Sequence, residues 1–225
     1  MQKPTGKIDL KKEQEATLAR PRRDYSLMAK MLFTGMDLIY GKELTLPKVK
    51  LLEVLARIPY QAWEIRQYRR MNSLFADAAA VEQAREIMAW GRAAQDNEFW
   101  HLRVITERMA ELGVRDTALR ERLVRPIAAF KYNLFSRFLA RFNIRRAFLL
   151  NAEFEDHAEH EYMRLVADHP ELETMRVQNR AAAEEGEFTS WADVFRRIGL
   201  DEREHMNDSL AHCGRASEVV PAASR

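Results

Sequence analysis

The chain has 225 residues, enough for one domain with a sizeable core. Lys+Arg 36 against Asp+Glu 34 leaves a net charge of +2, which gives no footing for a nucleic-acid partner. Cys213 is the only cysteine, which excludes an intrachain disulfide, and no apolar run reaches the ~18 residues of a membrane-spanning helix. Lys3, Lys7, Lys11 and Lys12 have no apolar stretch behind them, so no secretory signal is expected.

Residues 1–22 are charged and without periodicity, and read as a disordered basic arm. The main domain is expected over 23–214 and a disordered tail over 215–225. A first helix is predicted from Tyr25 to about Tyr40, ending at Gly41. Thr45 is expected to cap a second helix running to about Met71, with Pro47 in its first turn. A third runs from about Ala76 to Leu112 and stops at Gly113. A long stretch from Thr117 to Asp168 follows, with a break or kink expected at Pro126. Residues 170–189 read as a polar connection, and Ser190 as the cap of a last helix ending near Gly214. Strand alternation is absent, so the class is all-α.

Two halves of the chain carry one pattern. Glu53 is followed 45 residues later by Glu98-Phe99-Trp100-His101, and Glu155 is followed 47 residues later by Glu202-Arg203-Glu204-His205. Residues three apart share a helix face, so each Glu-x-x-His projects a carboxylate and an imidazole together. Those faces are otherwise apolar: Ile87, Gly91, Ala94, Ile105 and Met109 flank the first pair, and Trp191, Phe195 and Ile198 lead into the second. Glu53 lies in line with Val49, Ala56 and Tyr60, and Glu155 with Phe148, Ala152 and Tyr162. One Glu from each of two helices and a Glu-x-x-His from each of two others is the ligand set of a di-iron or di-manganese centre in a ferritin-like four-helix bundle. Burying four carboxylates requires compensation, and two divalent cations supply it. Carboxylate and imidazole donors suit iron or manganese, and two iron ions are the expected cofactor. Glu153, Asp156, His157, Glu159 and His160 crowd around Glu155. Asn97 and Asp201 directly precede Glu98 and Glu202, and are candidates to orient the imidazoles.

With these residues in hand, the chain resembles the alternative oxidase family of non-haem di-iron quinol oxidases, over roughly residues 25–213. Leu52-Glu53 with Ile58-Pro59 is similar to the family's first ligand segment. Asn97-Glu98-Phe99-Trp100-His101-Leu102 resembles its Asn-Glu-Arg-Met-His-Leu. The run from Phe154 to Tyr162 resembles its Leu-Glu-Glu-Glu-Ala segment, and Asp201-Glu202-Arg203-Glu204-His205 its Ala-Asp-Glu-Ala-His-His. The resemblance implies that Glu155 is the third ligand and that Tyr162 takes part in electron or proton transfer. It also implies a substrate pocket at Lys48, Leu52, Ala158 and Glu161. Several positions depart from the family. Lys48 stands where an arginine helps to hold the quinol, Glu161 replaces a small hydroxyl residue, His157 replaces an acid, and Phe148 replaces a histidine.

A quinol oxidase needs a membrane-facing surface. Phe135, Phe138, Phe142 and Leu149 lie along one side of Arg125–Leu150, interspersed with Arg137, Arg141, Arg145 and Arg146. The first helix adds Met28, Met31, Leu32, Phe33 and Ile39, with Arg20, Arg22 and Arg23 beside them. Apolar faces rimmed by arginine fit in-plane helices on anionic lipid, with a dimer interface, or ordinary core with snorkelling arginines, as the rival reading. The expectation is a monotopic homodimer, peripheral on the cytoplasmic face of a bacterial inner membrane. It would oxidise ubiquinol and reduce dioxygen to water without pumping protons. A related di-iron mono-oxygenase or quinone hydroxylase, and a non-catalytic ferritin-like iron-binding protein, are the alternatives.

Overall fold

The structure is a computed structural model that describes residues 8–223. Within them the chain is all-helical. The helices are α1 (Leu10–Ala19), α2 (Leu27–Tyr40), α3 (Leu46–Ser73), α4 (Ala78–Glu111), α5 (Arg125–Phe142), α6 (Ile144–Asp168), α7 (Arg180–Glu185) and α8 (Trp191–His212). A π-helical turn, Arg120–Val124, leads into α5, and 3-10 turns cover Pro170–Glu173 and Ala216–Glu218.

Local signals fix most boundaries. The Ser26, Asp77, Asn143 and Ser190 side chains each accept a backbone N–H from the first turn of the helix they precede. Thr45 precedes α3 without such a bond, so it does not cap by its side chain as expected. Gly113, at φ 64°, takes the left-handed conformation that closes α4. Pro126 lies in the first turn of α5 directly after the π-helical turn Arg120–Val124, so the helix is distorted there without ending. The break in the long 117–168 stretch falls at Asn143 instead, which ends α5 and caps α6.

The arm and the tail also differ from the sequence reading. Leu10–Ala19 is a helix, and its weak amphipathicity gave no periodicity to read. It is held by buried ion pairs rather than by an apolar stripe. Arg203 Nη1 reaches Glu13 at 2.5 Å, and Gln14 Nε2 donates to the Met163 carbonyl at 2.9 Å. The tail is tied back where Val220 N donates to Asn207 Oδ1 at 2.7 Å. The extremes of both segments, 1–7 and 224–225, lie outside the described residues.

The four long helices α3, α4, α6 and α8 form a bundle. α3 pairs with α4 and α6 with α8, and the pairs meet through α3–α6 and α4–α8 contacts. Glycine permits close approach in one pair: a Cβ at Gly199 of α8 would stand 2.9 Å from Met163 Cε of α6. α5 and α2 pack outside the bundle on α3 and α6, and α1 lies against α6 and α8. Four apolar clusters fill the interior: one around Tyr162, Trp191 and Phe195, one around Phe33, Leu52 and Phe154, one around Tyr60, Trp63 and Phe148, and a small one of Ala152, Met206 and Leu210.

Candidate metal centre

Each bundle helix contributes a carboxylate to one buried place. Glu53 comes from α3, Glu98 and His101 from α4, Glu155 from α6, and Glu202 and His205 from α8. Glu98, Glu155, Glu202 and His101 are fully buried, and Glu53 and His205 nearly so. The donor atoms fall into two groups, Glu53–Glu98–His101–Glu202 and Glu98–Glu155–Glu202–His205. Within each group the donors lie within 4.8 Å of one another. The groups share Glu98 and Glu202.

Hydrogen bonding inside the protein leaves this cluster incomplete. Glu53 Oε2, both oxygens of Glu98 and Glu202, Glu155 Oε2 and the Nδ1 atoms of His101 and His205 are buried without a hydrogen-bond partner. Such orphans are rare in native interiors. His205 Nδ1 stands 2.7 Å from Glu98 Oε1, and His101 Nδ1 3.2 Å from Glu202 Oε1, but neither pair has hydrogen-bond geometry. Atoms so close, buried and unbonded to each other converge on common points instead, and the donor set fits divalent cations.

The electrostatics agree. Burial pushes the Glu53 carboxyl up to about 8, against the pull of His101. Burial and the charges of Glu98 and Glu202 raise Glu155 well above the carboxylate range. Glu98 resists its own burial because His101 and His205 hold it down to about 2. Both imidazoles are raised well above the ordinary histidine value, despite burial, by the carboxylates around them. Without cations the cluster must hold protons to stay near neutrality.

Partners outside the six fix their orientation. His101 Nε2 lies 3.3 Å from Asp201 Oδ2, and Arg197 in turn binds Asp201. Asn97 has no such role: its buried Oδ1 is unpaired and it bonds neither imidazole. The Tyr162 hydroxyl donates to Glu53 Oε1. Glu155 Oε1 accepts from the Tyr60 hydroxyl and from Asn151 Nδ2, both at 2.9 Å. Asn151 and Arg197 were not singled out from the sequence. Each lies four residues before the group it serves, the helical spacing that could have found it.

The acids around Glu155 are spoken for. Arg20 binds Asp156 and Glu159, each at 2.6 Å, and Arg203 Nε reaches Glu159 at 2.8 Å. Asp156, Glu159 and His160 lie close enough to hold an ion, but these guanidinium groups already occupy the carboxylates. Glu153 accepts from the Ser26 backbone and hydroxyl.

The four expected pocket residues do not line one cavity. Leu52 and Ala158 are packed into the apolar cluster beneath α2. Lys48 is buried and donates to Asp37 Oδ1 at 2.7 Å and to the Gly41 carbonyl at 2.8 Å. Glu161 pairs with Arg22 at 2.5 Å and lines a cleft of about 810 Å³. Leu46, Leu165, Leu172 and Phe195 also line this cleft, and the Phe195 ring stacks with Tyr162.

Exposed apolar side chains gather on α2 and α5: Leu27, Met31 and Leu38 on one, Phe130, Leu134, Phe138 and Phe142 on the other. The α2 face is narrower than expected, because Phe33 is buried and stacks on His157. Arg20, Arg22 and Arg23 turn inward to acids. No helix among the described residues is long and apolar enough to cross a membrane.

No protein-family description matches the chain, and no curated protein is detectably similar to it.

Proposed function

We propose that the chain is a ferritin-like di-iron oxidoreductase of the alternative oxidase type, oxidising a quinol and reducing dioxygen to water. The sharing of Glu98 and Glu202 between two four-donor groups carries this reading, since it calls for a pair of cations. Four carboxylates balance two divalent ions, and oxygen and imidazole donors suit iron. When bound, an iron pair supplies electron storage and a binding place for dioxygen.

The protein's own groups would do the rest. Asp201 sets the orientation of His101. Tyr162 is buried, and burial together with Glu53 and Glu202 keeps its phenol protonated. An electron passing through Tyr162 would therefore take its proton with it, and Glu53 Oε1 is the acceptor in place. The cleft beside Phe195 is apolar enough for a quinol ring, with Glu161 and Arg164 at its lining as polar contacts. The exposed faces of α2 and α5 would rest on one leaflet of the membrane.

The test is oxygen uptake by iron-loaded protein on addition of short-chain ubiquinol, with Glu98→Ala as the control. Quinol-dependent uptake that the control loses supports the proposal. Two bound irons without uptake would refute the oxidase. The commitment of Lys48 to Asp37 and Gly41 favours one other reading, a di-iron hydroxylase with a different apolar substrate. Labelled dioxygen separates them: the hydroxylase places label in an organic product, the oxidase only in water.

A further inference from the structure

Five arginines meet in a groove of about 550 Å³ between α3 and α5. Arg66, Arg69 and Arg70 come from α3, and Arg137 and Arg141 from α5. Among the described residues none of the five forms an ion pair with a carboxylate. Arg70 donates to Gln83 Oε1 at 3.0 Å, and Arg141 lies over the Phe142 ring. This contrasts with Arg20, Arg22, Arg23, Arg196, Arg197 and Arg203, all of which bind acids.

The local sequence withholds counter-charge. No Asp or Glu occurs between Ile65 and Ala76, nor between Arg122 and Ala152. Arg66 and Arg70, and again Arg137 and Arg141, stand four apart on their helices, a spacing at which like charges repel. Burial and the charges of Arg70 and Arg141 lower the pKa of Arg66, which marks mutual repulsion in the groove. An anion seated in the groove would relieve that repulsion.

We propose that this groove binds a phosphate group, as a phospholipid headgroup or as a free phosphate. Guanidinium forks match phosphate oxygens in pairs, and several can share one dianion. The lipid source is favoured by the rim. Leu74 and Phe75 are exposed beside Ser73, and Phe138 and Phe142 beside Arg137 and Arg141, so apolar side chains border the charge. A headgroup seated here would place acyl chains along the exposed row of α5.

The experiment compares two triple variants at exposed arginines, which spares the core. Arg69→Gln/Arg137→Gln/Arg141→Gln empties the groove, and Arg122→Gln/Arg145→Gln/Arg146→Gln removes equal charge outside it. One arm measures partition onto phosphatidylglycerol–phosphatidylcholine vesicles, with phosphatidylcholine alone as blank. The other measures inorganic pyrophosphate binding by calorimetry. With charge-assisted hydrogen bonds to a shared phosphate removed, the groove variant is expected to lose roughly 100-fold in affinity beyond the non-specific attraction that both variants forfeit. The proposal requires that loss to exceed the control's by at least tenfold. A selective loss on vesicles alone identifies a headgroup, and a selective loss on pyrophosphate identifies a free phosphate. Equal losses in the two variants, or no binding in either arm, overturn the proposal. So does a groove variant that changes only sedimentation, since the groove would then face a second copy of the chain.

Discussion

Replacing Glu155 by Gln should stabilise the metal-free protein and weaken the metal-bound one. Glu155 is fully buried, with Oε2 unpaired and the carboxylates of Glu98 and Glu202 beside it. Glutamine has the same shape. Its amide oxygen can keep the bonds from Tyr60 and Asn151, and its NH2 faces the neighbouring carboxylates. Relieving an unsatisfied buried group is worth about 1–3 kcal/mol. A domain of this size shifts by about 2–4 °C per kcal/mol, so the melting temperature should rise by several degrees. The gain should grow with pH. The folded pKa of Glu155 lies above its unfolded value, so its contribution to wild-type stability is full below the unfolded value and is lost as pH rises toward the folded one. The variant has no such loss. With metal the sign reverses: a free ion at 100 times its dissociation constant stabilises by about 2.7 kcal/mol, and a variant short of one ligand gains less. Calorimetry on chelator-stripped protein, with and without anaerobic Fe²⁺, measures both arms. A metal-free variant less stable than wild type, or an equal gain from iron in both, would refute the reasoning.

Asp201→Asn should weaken metal binding about 10–100-fold by loosening His101, measured by competition against a chelator; unchanged affinity would deny Asp201 its orienting role. Arg203→Met should cost about 1.5–3 kcal/mol, because it takes one of two guanidinium partners from the buried Glu159 carboxylate and breaks the Arg203–Glu13 bond. Its amide exchange should quicken across Leu10–Ala19, and a loss under about 1 kcal/mol would show that the network does not hold α1. Tyr162→Phe should fold and bind metal but lose quinol-dependent oxygen uptake, whereas full turnover would remove Tyr162 from the proposed proton path.

Much of the fold was legible because helical order is local. Period, the cap at Ser190 and the stop at Gly113 all act within a turn or two. Glu98 with His101 and Glu202 with His205 were legible for the same reason, since three-residue spacing fixes a shared face whatever the helix packs against. The helix α1 was not legible. It is held by partners such as Arg203 and the Met163 carbonyl, 190 and 149 residues away, and no short window contains them.

Packing also decided which polar groups were free to act. Asp156, Glu159 and Glu155 share one short segment of α6, yet two of them meet arginines and one meets the other carboxylates. Lys48 reads as a substrate contact until it is found bound to Asp37 and Gly41. Arg137 and Arg141 of α5 read as the rim of an apolar face, and only packing brings them to one groove with Arg66, Arg69 and Arg70 of α3. The sequence alone determined the helical class and the six-donor pattern, because both follow from helical periodicity. The tertiary structure alone decided which charges are neutralised inside the protein and which are left for a ligand, because that depends on groups far apart in the chain.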